Sequence, residues 1–567
     1  MRHTVDPRQM NLFDPAESLF SPATIKHMKS DWPSVFRMQM LHLMPAGELG
    51  EHFHPALGRP TKELYSMAGA VLLKEAFNLT TTQMIHHYLT DASWQYALNL
   101  NPMEVSLGQR TAERYLALFS ENDLATAVFH EVTTAVVTGL ELDISRQRLD
   151  STHLFSDMAT FGRTRLMGVT IKRFLVQLKR HDKDSYTSLT DAFRARYGSS
   201  ESKMFAAFKG KRQVLRQEVA EDLLMLVSRF AKDDTIFNRD TYKMMVRVLH
   251  EQCDVQEETV TVKKKTGGDV IQNPSDAEAS YDGHKGPGYQ AQIAETCSKE
   301  NDVQVITGVD VEPAHCSDQN AAVPMLDQLE EQDRKPDAMY ADGGYGSDNN
   351  VVEAAHRDVD LQSPVSGLPK QCPGSLSLDD FVINDQTQRV ERCPNGCTPT
   401  SSIHDAEKGE TRTEMKPSDC LGCSFQKECP MRNVHGRPVL KHTPKDHRLA
   451  SRRAEQQTDA FRENYAIRSG GESVNSGLKR RTGLGRLRVR RLKNVRMATM
   501  LRCAGWNLFR MVAALADRKR RDLASSCVVF THRGARRDRF DGFRIALSHS
   551  IHRIVIRTTK FAPRKAA

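Results

Sequence analysis

The chain has 567 residues, 39% of them hydrophobic and 27% charged, with a net charge of +9. That balance describes a globular protein too long for one core, so roughly three or four structural units are expected. No apolar run approaches the roughly 20 residues needed to span a bilayer, and Met1-Arg2-His3-Thr4-Val5-Asp6 has no apolar leader, so a cytoplasmic protein is expected.

Residues 1–60 carry scattered aromatics and little periodicity. From about 60, Leu64, Met67, Ala68, Val71 and Leu72 recur at helical spacing. Thr80-Thr81-Thr82-Gln83 reads as a capping box, and Ser106-Leu107-Gly108-Gln109 as a second one ahead of Arg110 to Phe119. Residues 1–140 therefore read as an N-terminal helical domain that binds DNA or forms a dimer contact.

Asp143 to His153 is strand-like and carries Asp150 toward its predicted C-terminal end. Ile171, Phe174, Leu175 and Leu178, then Leu223, Leu226, Val227 and Phe230, predict a helical insert over about 160–255. The polar, glycine-containing composition of 259–288 marks a loop. Strands are predicted at Tyr289 to Ile293, Val303 to Val311 and Ala338 to Asp342. A helix over Asn349 to Arg357 and a short strand over Leu361 to Val365 follow. Strands interrupted by helices make an α/β core with helical inserts. The expected domains are 1–140, a first part of the core at 141–370, a Cys-rich insert at 371–450, the rest of the core at 451–516 and a basic tail at 517–567.

Five of the eleven cysteines fall between Cys393 and Cys429. In a cytoplasmic chain this argues for metal before disulfide. Cys393 with Cys420, Cys423 and Cys429 would make a four-thiolate zinc site; Cys397 can replace Cys393, and Cys372 is a further candidate. Cys253, Cys297, Cys316, Cys503 and Cys527 read as packing or surface residues.

The most informative run is Tyr465-Ala466-Ile467-Arg468-Ser469-Gly470-Gly471-Glu472 with Lys479 beyond it, a Y-x2-R-x3-E-x6-K spacing. On one helix these four side chains would share a sector of roughly 60°. A phenol, a guanidinium, a carboxylate and an ammonium on one face suit phosphate and metal. Gly470, Gly471 and Gly477 each weaken such a helix by up to about 1 kcal/mol. Asp150 and Asp342 stand at predicted strand ends, with Asp143 and Asp310 as competitors by position. Three carboxylates gathered at a sheet edge can hold Mg²⁺ or Mn²⁺. Residues 478–496 then bring nine Lys or Arg and no acid, and Arg518-Lys519-Arg520-Arg521, Arg533, Arg536 and Arg537 follow. Basic blocks after an acidic site suggest a polyanion held against it.

Asp150-Ser151-Thr152, Ala341-Asp342-Gly343-Gly344-Tyr345 and the Y-x2-R-x3-E-x6-K run, in that order, resemble the DDE transposases of bacterial insertion sequences. Tyr281-Asp282-Gly283-His284-Lys285-Gly286-Pro287-Gly288-Tyr289 is similar to a stretch in the branch of that group with a cysteine-rich insert. The resemblance spans about 60–510. It implies an RNase H-like core in which Asp150, Asp342 and Glu472 bind Mg²⁺ or Mn²⁺, and in which Tyr465, Arg468 and Lys479 contact phosphates near the transposon end. Arg480 and Arg481, at the head of the basic block, are also expected to bind DNA. It further implies metal-dependent cleavage at element ends, strand transfer into target DNA, and a homodimer acting on terminal inverted repeats at the bacterial nucleoid. Two other readings share the pattern: an RNase H-like metal-dependent nuclease without strand transfer, and a catalytically retired DNA-binding protein.

Overall fold

The computed structural model describes residues 1–9, 14, 18–198, 212–257, 259–365 and 376–532. Cys372, Arg533, Arg536 and Arg537 lie outside these, and of Cys527 only the helical main chain is described. In the N-terminal region, helix α1 (Leu64–Ala76) begins where the Glu63 carboxylate accepts the N–H groups of Tyr65 and Ser66. Helix α2 (Leu124–Leu140) buries Val128, Phe129, Val132 and Val136. Thr80 and Gln83 close a capping box on the helix Thr81–Thr90. The second expected box is absent: the helix Gln109–Glu121 starts from Gly108 without a side-chain cap, and the Ser106 hydroxyl accepts from Lys62 instead. Residues 1–60, where no pattern was evident, contribute short helices at Pro22–Lys29 and Ala46–Glu51.

The central sheet is organised around β1 (Arg146–Leu154). β2 (Ser280–Asp282) and β3 (Gly286–Thr296) form a hairpin, and β3 runs antiparallel to β1 from Gln147 opposite Thr296 to Leu154 opposite Tyr289. β4 (Ile306–Pro313) is antiparallel to the other edge of β3, an edge it shares with β2. β5 (Ala338–Ala341) and β6 (Asp360–Gln362) add in parallel on the far side of β1. The order is therefore β4–β3–β1–β5–β6. The loop expected over 259–288 in fact contains a strand at Thr259–Val262 as well as β2.

Helices α3 (Arg163–His181), α4 (Arg212–Phe230) and α5 (Asp240–Gln252) lie in sequence between β1 and β2. They enclose a core of their own that includes Phe174, Tyr197, Leu223, Phe230 and Tyr242. α6 (Ala322–Glu330) and α7 (Asp348–Ala355) link β4 to β5 and β5 to β6. They cover one face of the sheet, where Leu149, Ala294, Met325, Leu329, Met339 and Tyr345 pack together. Four short strands between 401 and 442 form a separate antiparallel sheet.

The chain then returns through α8 (Pro444–Glu455), α9 (Asp459–Tyr465), a 3₁₀ turn over Ala466–Ser469, α10 (Gly470–Thr482) and α11 (Leu492–His532). Asn507 of α11 exchanges hydrogen bonds with the main chain of Ile306 and donates to Thr133, which ties α11 to β4 and α2. Arg502 and Glu75 pair at 2.9 Å, both buried, and hold α11 against α1. The first compact unit ends at Val512, and α11 runs on to His532. Among the described residues no helix is long and apolar enough to cross a membrane.

Candidate active site

Alternation along β1 sorts its side chains. Leu149 enters the core under α6 and α7, while Arg148 and Asp150 face the opposite side. Asp150 is not at the end of its strand, since β1 runs on to Leu154 beside β3. It is the pairing with β5 that stops, at Leu149 opposite Ala341. The chain leaves the sheet at Asp342, so the two aspartates emerge side by side where the parallel seam opens. Ligands of open α/β sheets gather at such edges. Asp342 is fixed by a tight turn: its Oδ1 accepts the Gly344 N–H at 2.8 Å, and its carbonyl accepts from Ser363 and, at 3.1 Å, from Tyr345 N–H.

The 465–479 run is not one α-helix. Tyr465 ends α9, Arg468 sits in the 3₁₀ turn, and Glu472 is in the first turn of α10. From there α10 continues unbroken through Gly477 to Thr482. A Cβ on Gly477 would stand 2.6 Å from the Trp506 ring, so the glycine there is a close-packing residue. The change of helix type turns Arg468 inward. Its Nη2 lies 3.2 Å from Asp150 Oδ1 and 3.6 Å from Asp342 Oδ2, and its Nη1 lies 4.0 Å from Glu472 Oε1. One guanidinium thus reaches all three predicted acids. The carboxylates are unequal: the side chain of Asp150 is 18% exposed, that of Asp342 38% and that of Glu472 78%. Burial pushes the Asp150 carboxyl up; Arg468 opposes this and Asp342 adds to it.

The other predicted residues take distinct places. The Tyr465 phenol donates to the Ala341 carbonyl at 2.9 Å, just before Asp342, and its ring stacks on Phe461. Burial pulls the Lys479 ammonium down, Lys285 of the β2–β3 hairpin pulls it further, and Asp150 resists. Arg480 is exposed. Arg481 lies over the Phe509 ring, on the side of α10 away from Lys479. Asp143 accepts the Ser145 N–H in the turn before β1, and Asp310 accepts the Val311 N–H within β4.

Three residues of the site were not expected. Asn475 donates to Asp150 Oδ2 at 3.0 Å; the helical period from Glu472 to Lys479 already places it on that face. Lys285, in the β2–β3 hairpin, sets its charge near Lys479, and the motif around it carries only a family likeness. Asp318, in the turn after β4, accepts from Ser151 at 3.2 Å and from Gln292 at 2.9 Å and adds its charge beside Asp150. A lone acid in a loop gives no signal in sequence.

Among the described residues no three of His, Cys, Asp and Glu are grouped as a metal-holding set. At the aspartates the reason is visible: the Arg468 cation stands between the carboxylates and Glu472 leans into solvent. The donor set nevertheless fits a hard divalent ion, because two carboxylates already converge on one positive charge. The five clustered cysteines, Cys393, Cys397, Cys420, Cys423 and Cys429, line one small cavity of about 20 Å³. That is room for about one water-sized sphere. Turns bring them there, with Cys393 N–H donating to the Cys397 carbonyl at 2.9 Å and Cys423 N–H to the Cys420 carbonyl at 3.3 Å.

Residues 392–512 match the family model of a transposase DDE domain. The match supports a DDE transposase. It holds the cysteines, Tyr465, Arg468, Glu472 and Lys479, whereas Asp150 and Asp342 lie before it. No curated protein and no solved structure matches the chain.

Proposed function

We propose that the chain is the DNA transposase of a bacterial insertion sequence, of the Y-x2-R-x3-E-x6-K group, built on an RNase H-like core. The single observation that carries this reading is the reach of Arg468 to Asp150, Asp342 and Glu472, which are drawn from three distant parts of the chain. The strand order supports the fold assignment: three antiparallel strands lead into two parallel ones through a helix. The proposed division follows the same elements, with N-terminal helices at 1–140, the core at 141–370 and 451–516, a cysteine-rich insert at 371–450 and a basic tail beyond.

Asp150, Asp342 and Glu472 would hold Mg²⁺ or Mn²⁺; such ions, when bound, supply charge stabilisation and a more acidic water. The protein's own residues do the positioning. Asn475 and the Ser151 N–H orient the Asp150 carboxylate, and the Tyr465 phenol fixes the main chain just before Asp342. Arg468 can grip a phosphate bidentately. Lys479 and Lys285 bring two like charges near one another, which suits an anionic phosphate beside them. Arg480 offers a further exposed cation on the same helix.

Cleavage breaks the phosphodiester at an element end, with water as nucleophile, and frees a 3′-hydroxyl. In the second step that hydroxyl forms the new O–P bond on target DNA while a target 3′-oxygen leaves. Both displacements suit one acidic site, and two ends imply a homodimer. In the insert, Cys393 or Cys397 with Cys420, Cys423 and Cys429 would hold a structural zinc. The test supplies pre-cut ends, a target plasmid and Mg²⁺: joined product is expected. Nicking without joining would favour a nuclease of the same fold.

A further inference from the structure

A strip of chain leads from the catalytic helix to a second place in the molecule. Beyond α10, residues 485–489 lie along the chain that leaves β1. Phe155 N–H donates to the Gly485 carbonyl at 3.1 Å, Leu487 N–H to the Phe155 carbonyl at 2.8 Å, and Asp157 N–H to the Val489 carbonyl at 2.9 Å. The strip ends at Arg490, paired with Asp157, and Arg491. Arg491 adopts φ 70°, the left-handed region that a residue with a Cβ enters only when held there. It is held by Asp276, whose Oδ1 accepts the Arg491 N–H at 2.9 Å. That bond uses the main chain and leaves the guanidinium at the wall of a groove.

The groove, of about 930 Å³, runs between α3, α5 and the loop around Ser275. Its wall carries Arg173, Arg239, Lys243, Arg247 and Arg491 against the acids Asp240 and Glu278. Glu278 is already engaged, accepting the Leu492 N–H at 2.8 Å. Burial pulls the Arg173 guanidinium down, and the nearby charges of Arg491 and Arg490 pull it further, while Arg247 is paired with Glu251 at 2.6 Å. Cations gathered along a groove fit a chain of phosphates.

We propose that this groove of the helical insert is a second DNA-binding site, which takes the sugar–phosphate backbone of the duplex that continues from the catalytic centre. The proposal rests on the transposase reading and adds a partner surface to it. It assigns the insert a task that composition alone did not suggest.

The test uses the full chain, with Lys243→Gln and Arg491→Asn combined; asparagine tolerates the left-handed backbone. Binding of a labelled duplex of arbitrary sequence is followed by anisotropy over a salt series. The slope of log Kd against log salt should fall by about 2, one for each lost phosphate contact. If the double variant melts below wild type, Lys243→Gln alone, exposed on α5, carries the test with a change of about 1. An unchanged slope overturns the proposal. So does inorganic tripolyphosphate that displaces the duplex from wild type at matched phosphate concentration, because the groove would then prefer a free polyphosphate. A wild-type protein that cleaves and joins while the variant keeps its slope removes the groove and spares the transposase. Loss of slope in the variant, with no cleavage or joining by wild type, removes the transposase and spares the groove.

Discussion

Arg148 donates to the carbonyl of Ile467 at 3.1 Å, and so ties the middle of the sheet to the turn that carries Arg468. The same guanidinium sends Nε to Glu295 at 2.8 Å, directly across from it on β3, and both residues are buried. Gly470 lies against the Arg148 head, where a Cβ would collide with it. A buried pair of this kind is costly to break from one side, because the remaining charge loses its partner.

Glu295→Ala should therefore destabilise the protein by roughly 3–5 kcal/mol in denaturant unfolding. Cleavage should fall further than stability explains, since the 466–470 turn loses its anchor. A variant of full stability would show that the pair does not hold the turn.

Asn475→Ala removes one charge-assisted hydrogen bond to Asp150. A bond of that kind is worth about 1.5–3 kcal/mol, so single-turnover cleavage should slow by roughly 10–100-fold. Duplex affinity should stay at the wild-type value, which separates positioning from DNA binding. Asn475→Asp should be worse, because it adds a further carboxylate against Asp150, beside Asp342 and Asp318.

His130 of α2 carries a pH signature for the joint between the N-terminal helices and the core. Its Nε2 hydrogen-bonds Gln332 at 2.7 Å, and its carbonyl accepts from Arg334 at 2.8 Å. Burial and the neighbouring Arg334 hold the imidazole down at about 4. Between the ordinary value of about 6.5 and that value, the unfolded chain binds more protons than the folded one. His130 thus contributes stability above about pH 6.5 that is lost as pH falls toward 4. Melting temperatures over that range should drop more steeply for wild type than for His130→Gln. Parallel curves would contradict this.

Much of the candidate site's grouping is legible in the sequence, because its residues carry local signals. Asp342 follows a strand that ends in a glycine turn, and Glu472 and Lys479 keep a helical period that also marks Asn475. What could not be read is long-range. The 3₁₀ turn that swings Arg468 inward depends on Arg148 and Glu295, far away in sequence. Gly477, which looked like a weak point in a helix, answers to Trp506 on α11. Asp150 looked like the end of a strand, yet it is the point where one partner strand leaves and the other continues. The expected second capping box is missing because the helix starts from Gly108, which has no side chain to cap it, while Ser106 accepts from Lys62. In most of these cases a tertiary contact overrode the local signal.

The cysteine cavity gives a separate test. Purified protein should hold about one zinc per chain by elemental analysis, and Cys420→Ser with Cys423→Ser should lose it and melt at lower temperature. A protein that keeps its melting temperature after chelation, with no zinc bound, would show that the thiols act only as packing.

The account rests on Asp150 and Asp342 acting as one acidic centre. The most direct measurement is Mg²⁺-dependent cleavage of a duplex carrying the element's own end, by wild type and by Asp342→Asn, with binding of the same duplex followed in parallel. The account predicts binding within about twofold of wild type and cleavage slower by roughly a thousandfold or more, the loss of several kcal/mol of transition-state stabilisation. Cleavage by Asp342→Asn at the wild-type rate would contradict it.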